Sequence, residues 1–369
     1  MTVTHSPAAS PTPTSADGSP QPPGSSKAGR RLYVRRITGL VVLLVLLAVC
    51  LCAAMALGSR SIPLPKVWDV LSHFSSSSDS SNSDTDTRVI IDLRIPRALL
   101  GVIVGMALGC AGALIQGHTR NPLADPGILG VSAGAAFSVV ASFAFFGVTG
   151  NVATTFWAFG GSICATALVF GLASVGKATA SPLNLVLGGA ALGAVLSSLT
   201  SGLVLTNNDN LNRMRFWTVG AIAGRDMNVV MVSAPVIVVA LIAAFATGPT
   251  LNLLNLGDDA ATSLGVHVGR SRIVGVILIA LLAGAATAAA GPIGFVGLVV
   301  PHVVRSITGP DYRWILPYSA LTGAVLVLVA DIVGRLIARP GEVEVGIVLA
   351  FVGAPFFIYL ISRNKVVEV

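Results

Sequence analysis

"ITGLVVLLVLLAVCLCAAMAL", residues 37–57, carries no charged side chain. A helix rising about 1.5 Å per residue needs about 20 predominantly apolar residues to cross the hydrocarbon core, which is the length of this run. The strands of an outer-membrane barrel alternate lipid-facing and lumen-facing residues over short segments. This run is long and unalternating, so it reads as a transmembrane helix.

Working outward, Arg30, Arg31, Arg35 and Arg36 stand just before the run. By the positive-inside rule they leave the N-terminus in the cytoplasm. Ala54-Met55-Ala56 resembles a signal-peptidase site, but the apolar run and its polar leader are too long for a cleaved signal. Residues 1–30 are rich in Pro, Ser, Thr, Ala and Gly, and have too few large apolar side chains to offset ordering entropy. Residues 1–36 are therefore expected to form a disordered, basic cytoplasmic tail.

Downstream, nine more apolar runs fall near 97–117, 128–148, 153–175, 183–205, 229–248, 272–290, 292–308, 316–336 and 345–362. Ten spans put both termini inside, with 364–369 as a short cytoplasmic C-terminus. Composition agrees: 54% of residues are hydrophobic, 11% are charged, and mean hydropathy is +0.83, far outside the soluble range. The fold class is an all-α polytopic membrane protein with about ten transmembrane helices, its permease domain covering 37–363. Residues 59–93 form an outer loop whose "SSSSDSSNSD" insert, 75–84, is low-complexity. This topology puts slightly more of the 23 basic residues inside than outside, a weak bias.

Composition also excludes functions. A net charge of +7 invites nucleic acid, yet the basic residues are scattered at the ends of apolar runs without an aromatic-interleaved patch. Cys50, Cys52, Cys110 and Cys164 all lie in expected spans and read as small packing residues. "GLASVGKA", 171–178, imitates a phosphate loop but ends in Ala where the Mg²⁺-binding hydroxyl belongs, and it closes an apolar helix instead of following a strand. With no catalytic triad, metal cluster or cofactor motif, the chain is read as not an enzyme.

Four polar constellations interrupt the apolar pattern. "RIPRALLG", 94–101, places Arg94 and Arg97 on one helix face at an outer boundary, and "DIVGR", 331–335, adds Arg335. They read either as snorkelling anchors or as a cationic docking set. "LNLLNLGDDAATSLGVHVGRSR", 251–272, reads as two short helices. Gly257 precedes the helix-starting acids Asp258 and Asp259, Gly265 ends the turn, and Ala260, Ala261 and Leu264 are expected to face the membrane body. It is either a solvated connection or a docking element. "RNPLADPGILGVSAGA", 120–135, breaks the chain with Arg, Asp and two prolines between spans. "AGPIGFVGLVVPHVVRSITGPDYRWILP", 290–317, repeats Gly and Pro within an apolar run; Gly127 to Gly130 and Gly294 to Gly297 share a G-x-x-G spacing in the two halves, as in transporters with internal repeats. His302, alone beside Arg305, reads as structural.

These motifs, with "GAPFFIYLI" at 353–361, occur in an order that closely resembles the FecCD-type permease family, over roughly 60–363. Members of that family are membrane subunits of binding-protein-dependent ABC importers for iron-siderophores, haem and vitamin B12. The resemblance implies a type II ABC importer permease architecture in the inner (cytoplasmic) membrane. Two permease subunits, homo- or heterodimeric, flank a translocation path, with cytoplasmic ATP-binding subunits below and an extracytoplasmic substrate-binding protein outside. It implies that Arg94, Arg97 and Arg335 meet acidic residues of the binding protein. It likewise implies that Gly257, Asp258, Asp259 and Gly265, in a cytoplasmic coupling loop spanning 251–272, meet the ATPase, and that Asn121 and Leu123 form a cytoplasmic gate. A ferric siderophore is the expected cargo, with vitamin B12 or haem as alternatives. A secondary transporter driven by an ion gradient is the reading from another class. It calls for paired intramembrane carboxylates, and the expected spans hold only Asp331. Two features depart from the family: Glu344, where Pro is common, and the serine-rich insert.

Overall fold

The computed structural model describes residues 25–58, 62–72, 85–174 and 182–362. Most of the expected N-terminal tail, the serine-rich insert, the end of "GLASVGKA" and the expected C-terminal segment lie outside the described residues. Among those described, the chain consists of helices and turns without strands. In order they are α1 (Ser25–Ala56), α2 (Leu64–Ser72), α3 (Thr85–Thr119), α4 (Val131–Phe146), α5 (Asn151–Ser174), α6 (Pro182–Leu205) and α7 (Asn208–Thr218). There follow α8 (Met227–Ala246), α9 (Gly248–Leu254), α10 (Asp258–Ser263), α11 (Val268–Ala290), α12 (Val296–Thr308), α13 (Tyr312–Ile337) and α14 (Val345–Ser362).

Each of the ten expected spans is helical. Among the described residues seven helices are long and apolar enough to cross a membrane, while α4, α12 and the apolar part of α14 are shorter. The shortness of α4 and α12 has a local cause. Each is entered through irregular backbone: a 3₁₀ turn over Pro126–Leu129 before α4, and residues 291–295 before α12. Such backbone is tolerated at membrane depth only under protein cover. Here the first turn of α12 covers the break before α4, since a Cβ on Gly297 would lie 2.8 Å from Pro126 Cδ.

The core is built on α3 and α11, each 78% buried over its most apolar window. Gly101, Gly105 and Gly109 recur every fourth residue on α3, the small-residue spacing that lets membrane helices touch backbone to backbone. A Cβ on Gly105 would sit 2.5 Å from the Gly323 carbonyl oxygen, and one on Gly109 2.1 Å from that of Ser319. Both partners belong to α13, so α3 and α13 pack as one pair. α6 is the opposite case, only 11% buried. Its exposed face runs through Ala190, Ala194, Ser198 and Gly202.

Two expectations are corrected. α1 starts at Ser25, within the segment expected to be disordered. Arg35 donates to the Ile307 carbonyl, Arg36 donates to that of Thr308 at 2.7 Å, and Tyr318 donates to the Arg36 carbonyl. Cationic side chains thus cap the C-terminal carbonyls of α12, which holds the basic stretch in helical register. The segment between the first two spans is not simply a loop either, because it contains α2 and the opening turns of α3, π-helical over Val89–Arg94.

Candidate functional site

α3 is a 35-residue rod, about 50 Å long at the helical rise. It carries Arg94 and Arg97 near one end and meets Arg120, Asn121 and Leu123 at the other. The candidate residues therefore fall into two groups at opposite ends of the bundle.

At the Arg97 end, Arg94, Arg97 and Arg335 line one recess of about 470 Å³ together with Arg225 and Glu342. Asp331 organises it. Its Oδ1 accepts from Arg97, with Nη2 at 2.7 Å and Nε at 2.9 Å, and its Oδ2 accepts from Arg335 Nη2 at 2.6 Å. The third Arg97 nitrogen, Nη1, reaches Glu342 Oε2 at 2.7 Å. Arg335 also donates to the carbonyls of Ala54 at 3.1 Å and Leu57 at 3.0 Å, and Arg94 donates to that of Met55. These carbonyls end α1, where a helix concentrates its negative dipole. The arginines are thus half anchors and half recess wall. Arg94 and Arg335 are buried, at 6% and 5% exposure, so a partner's carboxylate would have to enter the recess to meet them.

A second recess of about 650 Å³ shares Gly224, Arg225 and Glu342 with the first and adds Arg213 and Glu344. Burial pushes the Glu344 carboxyl above its ordinary range, and neighbouring Glu342 pushes the same way. Glu344 therefore sits in the wall of this recess.

At the other end, the chain leaves α3 through Arg120, whose backbone is left-handed at φ 50°, ψ 35°. Asn121 Oδ1 accepts the Leu123 N–H at 2.9 Å, and the Ala124 N–H donates to the Asn121 carbonyl at 3.1 Å, which makes 121–124 a closed turn. Asp125 Oδ1 accepts the Gly127 N–H at 2.8 Å and caps the 3₁₀ turn. Asn121 and Leu123 are both exposed on the single chain, Leu123 at 39%.

Beside this turn lie α9 and α10, the two short helices expected in the 251–272 loop. Gly257 has φ 114° and Gly265 has φ 85°, backbone that L side chains adopt only under strain. After α10 the Val266 N–H donates to the Ala261 carbonyl and the Gly265 N–H to that of Thr262, both at 2.9 Å, the paired bonds of a Schellman stop. This stop overturns one expectation. Ala261 is buried as expected, but Leu264 is turned outward at 59% exposure. Asp258 and Asp259 also part company. Asp258 is ion-paired to Arg120 and, at 2.8 Å, to Arg272, whereas Asp259 is exposed.

Sequence patterning did not single out Arg120 as a site residue, nor Arg272, Glu342 or the bridging role of Asp331. The i, i+4 spacing of Asp331 and Arg335 was the one local signal. His302 lies edge-on to Phe356, with ring centroids 6.5 Å apart.

The family model of the FecCD transport family matches residues 46–363, which takes in about half of the first span. The chain belongs to this family. It is similar to the ferric enterobactin transport system permease protein FepD of Escherichia coli (strain K12), with 41% identity covering 90% of this chain and 97% of that protein. The Fe(3+) dicitrate transport system permease protein FecD of the same organism is 39% identical over 88% of this chain and 99% of its own length. The hemin transport system permease protein HmuU of Yersinia pestis is 35% identical over 91% and 98%. Among solved structures, an inward-facing metal-chelate type ABC transporter matches with a TM-score of 0.76 and 28% identity, covering 88% of this chain and 99% of that one. The chain is therefore a multi-pass membrane permease of a transport family, with the all-α architecture of an ABC importer permease.

Proposed function

We propose that the chain is the permease subunit of an ABC importer that carries a ferric siderophore across the inner membrane. A separate cytoplasmic ATPase drives it and an extracytoplasmic binding protein feeds it. The single observation that carries this reading is the separation of two unlike sites along one rod: a cationic recess at one end of α3, and a polar turn locked to a two-helix loop at the other. Arg94, Arg97 and Arg335 are assigned to binding-protein docking, because guanidinium groups pair with carboxylates bidentately. Gly257, Asp258, Asp259 and Gly265 are assigned to the coupling loop, with exposed Leu256, Asp259 and Leu264 offering the ATPase a mixed apolar and acidic surface. Asn121 and Leu123 are assigned to the cytoplasmic gate. The orientation that follows puts both termini in the cytoplasm.

A second permease subunit is supported by the exposed small-residue face of α6 and by Phe351 and Val352 on α14, at 78% and 60% exposure. A siderophore is favoured over haem or vitamin B12 because FepD and FecD are named for ferric chelates. The secondary-transporter reading is disfavoured because Asp331 is fully engaged by Arg97 and Arg335. The docking assignment is tested by titrating the permease with its cognate binding protein in nanodiscs. Arg94→Gln combined with Arg97→Gln should weaken binding and flatten its dependence on salt; unchanged affinity and salt slope would remove the assignment.

A further inference from the structure

Arg120 occupies a position where its residue type needs explaining. The residue that leaves a helix in left-handed backbone is ordinarily glycine, because a Cβ there meets the following carbonyl. Among the described residues only Arg120 and Phe295 adopt positive φ without being glycine. What glycine lacks is a side chain, and this side chain has two specific partners in reach. Arg120 Nε donates to the Leu254 carbonyl at 2.9 Å, the last carbonyl of α9, which also accepts the Gly257 N–H at 3.2 Å. Its Nη2 donates to Asp258 Oδ1 in the first turn of α10. The other oxygen of Asp258 takes Arg272 Nη2 at 2.8 Å, from the first turns of α11. One guanidinium therefore grips both short helices of the loop, and one carboxylate ties that grip to the next membrane helix.

The backbone on the other side of Arg120 is equally fixed. The Asn121 N–H donates to the Gln116 carbonyl at 3.2 Å, and Asn121 itself closes the turn on Leu123 and Ala124. A single peptide bond separates the residue that holds the loop from the first residue of the turn.

We infer that Arg120 is a positioning residue that transmits displacement of the α9–α10 loop to the Asn121–Leu123 turn, with Asp258 as its counterpart. The inference rests on the importer reading above and deepens it. It divides the acidic pair: Asp258, 42% exposed but held by Arg120 and Arg272, belongs to the transmission, while exposed Asp259 is left for the ATPase surface. A push on α9 and α10 then reaches the gate through two side-chain contacts, without deforming the apolar core.

The test uses the complete complex of permease, ATPase and binding protein in proteoliposomes, and reads ferric siderophore molecules imported per ATP hydrolysed. Misfolding or poor insertion lowers both quantities together and leaves this ratio unmoved. Arg120→Gly is the informative variant because it suits the left-handed backbone and removes only the grip. The ratio should fall about ten-fold, the scale of a typical coupling free energy between sites. Asp258→Asn should lower it similarly, and the double variant should be no worse than either single one, as expected for two residues acting through one contact. A wild-type ratio in Arg120→Gly, or additive losses in the double variant, would overturn the inference. Loss of ATPase binding in Arg120→Gly would also overturn it, since the residue would then hold the docking surface and not transmit from it. If the unaltered complex shows no ATP-driven import, the importer reading itself fails, a result distinct from all of these.

Discussion

Replacing Asp331 with Asn removes the one carboxylate shared by a buried guanidinium, that of Arg335, and a half-buried one, that of Arg97. Asp331 is 2% exposed, and its partners Arg97 and Arg335 are 14% and 6% exposed. Removing one member of a buried ion pair costs about 3–5 kcal/mol, mostly because the remaining charge is left uncompensated. Each arginine keeps something here: Glu342 for Arg97, and the carbonyls of Ala54 and Leu57 for Arg335. The lower end applies, about 3 kcal/mol, or roughly 150-fold in the folding equilibrium. Denaturant titration of purified Asp331→Asn in mixed micelles measures the loss, and binding-protein titration in nanodiscs measures the consequence for the recess. Both stability and docking should fall, because the arginines lose their common anchor. Wild-type stability with wild-type docking would show that Asp331 positions neither arginine and would refute the description of the recess.

Glu342 occupies one nitrogen of Arg97 from a half-open position, so Glu342→Gln should tighten binding-protein affinity roughly two- to five-fold, the worth of a partly exposed pair; weaker binding would count against a displaceable contact. Glu344 has its carboxyl pushed up, chiefly by burial and then by Glu342. A carboxyl whose folded pKa lies above its unfolded value opposes folding while ionised, and that penalty fades as pH falls through the folded pKa. Glu344→Gln should therefore raise the melting temperature at about pH 8 and lose the advantage toward about pH 5; an equal gain at both would point to a cause other than charge. For the gate, Leu123→Cys in a background without the four native cysteines should crosslink between two copies of the chain in the absence of nucleotide and block import until reduced. Inaccessibility of that thiol to aqueous reagents in every nucleotide state would rule out a gate there.

The ten expected spans were legible because each is an apolar run in the sequence, and hydrocarbon leaves such a run few alternatives to helix. Helix ends were not. α1 extends back to Ser25 because Arg35 and Arg36 find carbonyls on α12, partners that no local pattern announces. Arg94 and Arg97 share a face because three residues on a helix is a local relation, and Arg335 stands with them as a further basic residue at an outer helix end. Asp331 as their bridge was hidden, since Arg97 lies 234 residues away from it in the chain. Arg120 was hidden for the same reason, as its side-chain partner is 138 residues on. Leu264 was misplaced because helical periodicity was carried through a residue that already belongs to the stop at Gly265.

The central claim is that import through this permease is driven by ATP hydrolysed in a partner and not by an ion gradient. The most direct test places the chain with its ATPase in proteoliposomes, supplies radiolabelled ferric siderophore on its binding protein outside, and compares uptake with and without ATP inside. The account predicts uptake that requires ATP and the ATPase and persists when ionophores collapse every ion gradient. Uptake by the permease alone that follows an imposed ion gradient and is indifferent to ATP would contradict it.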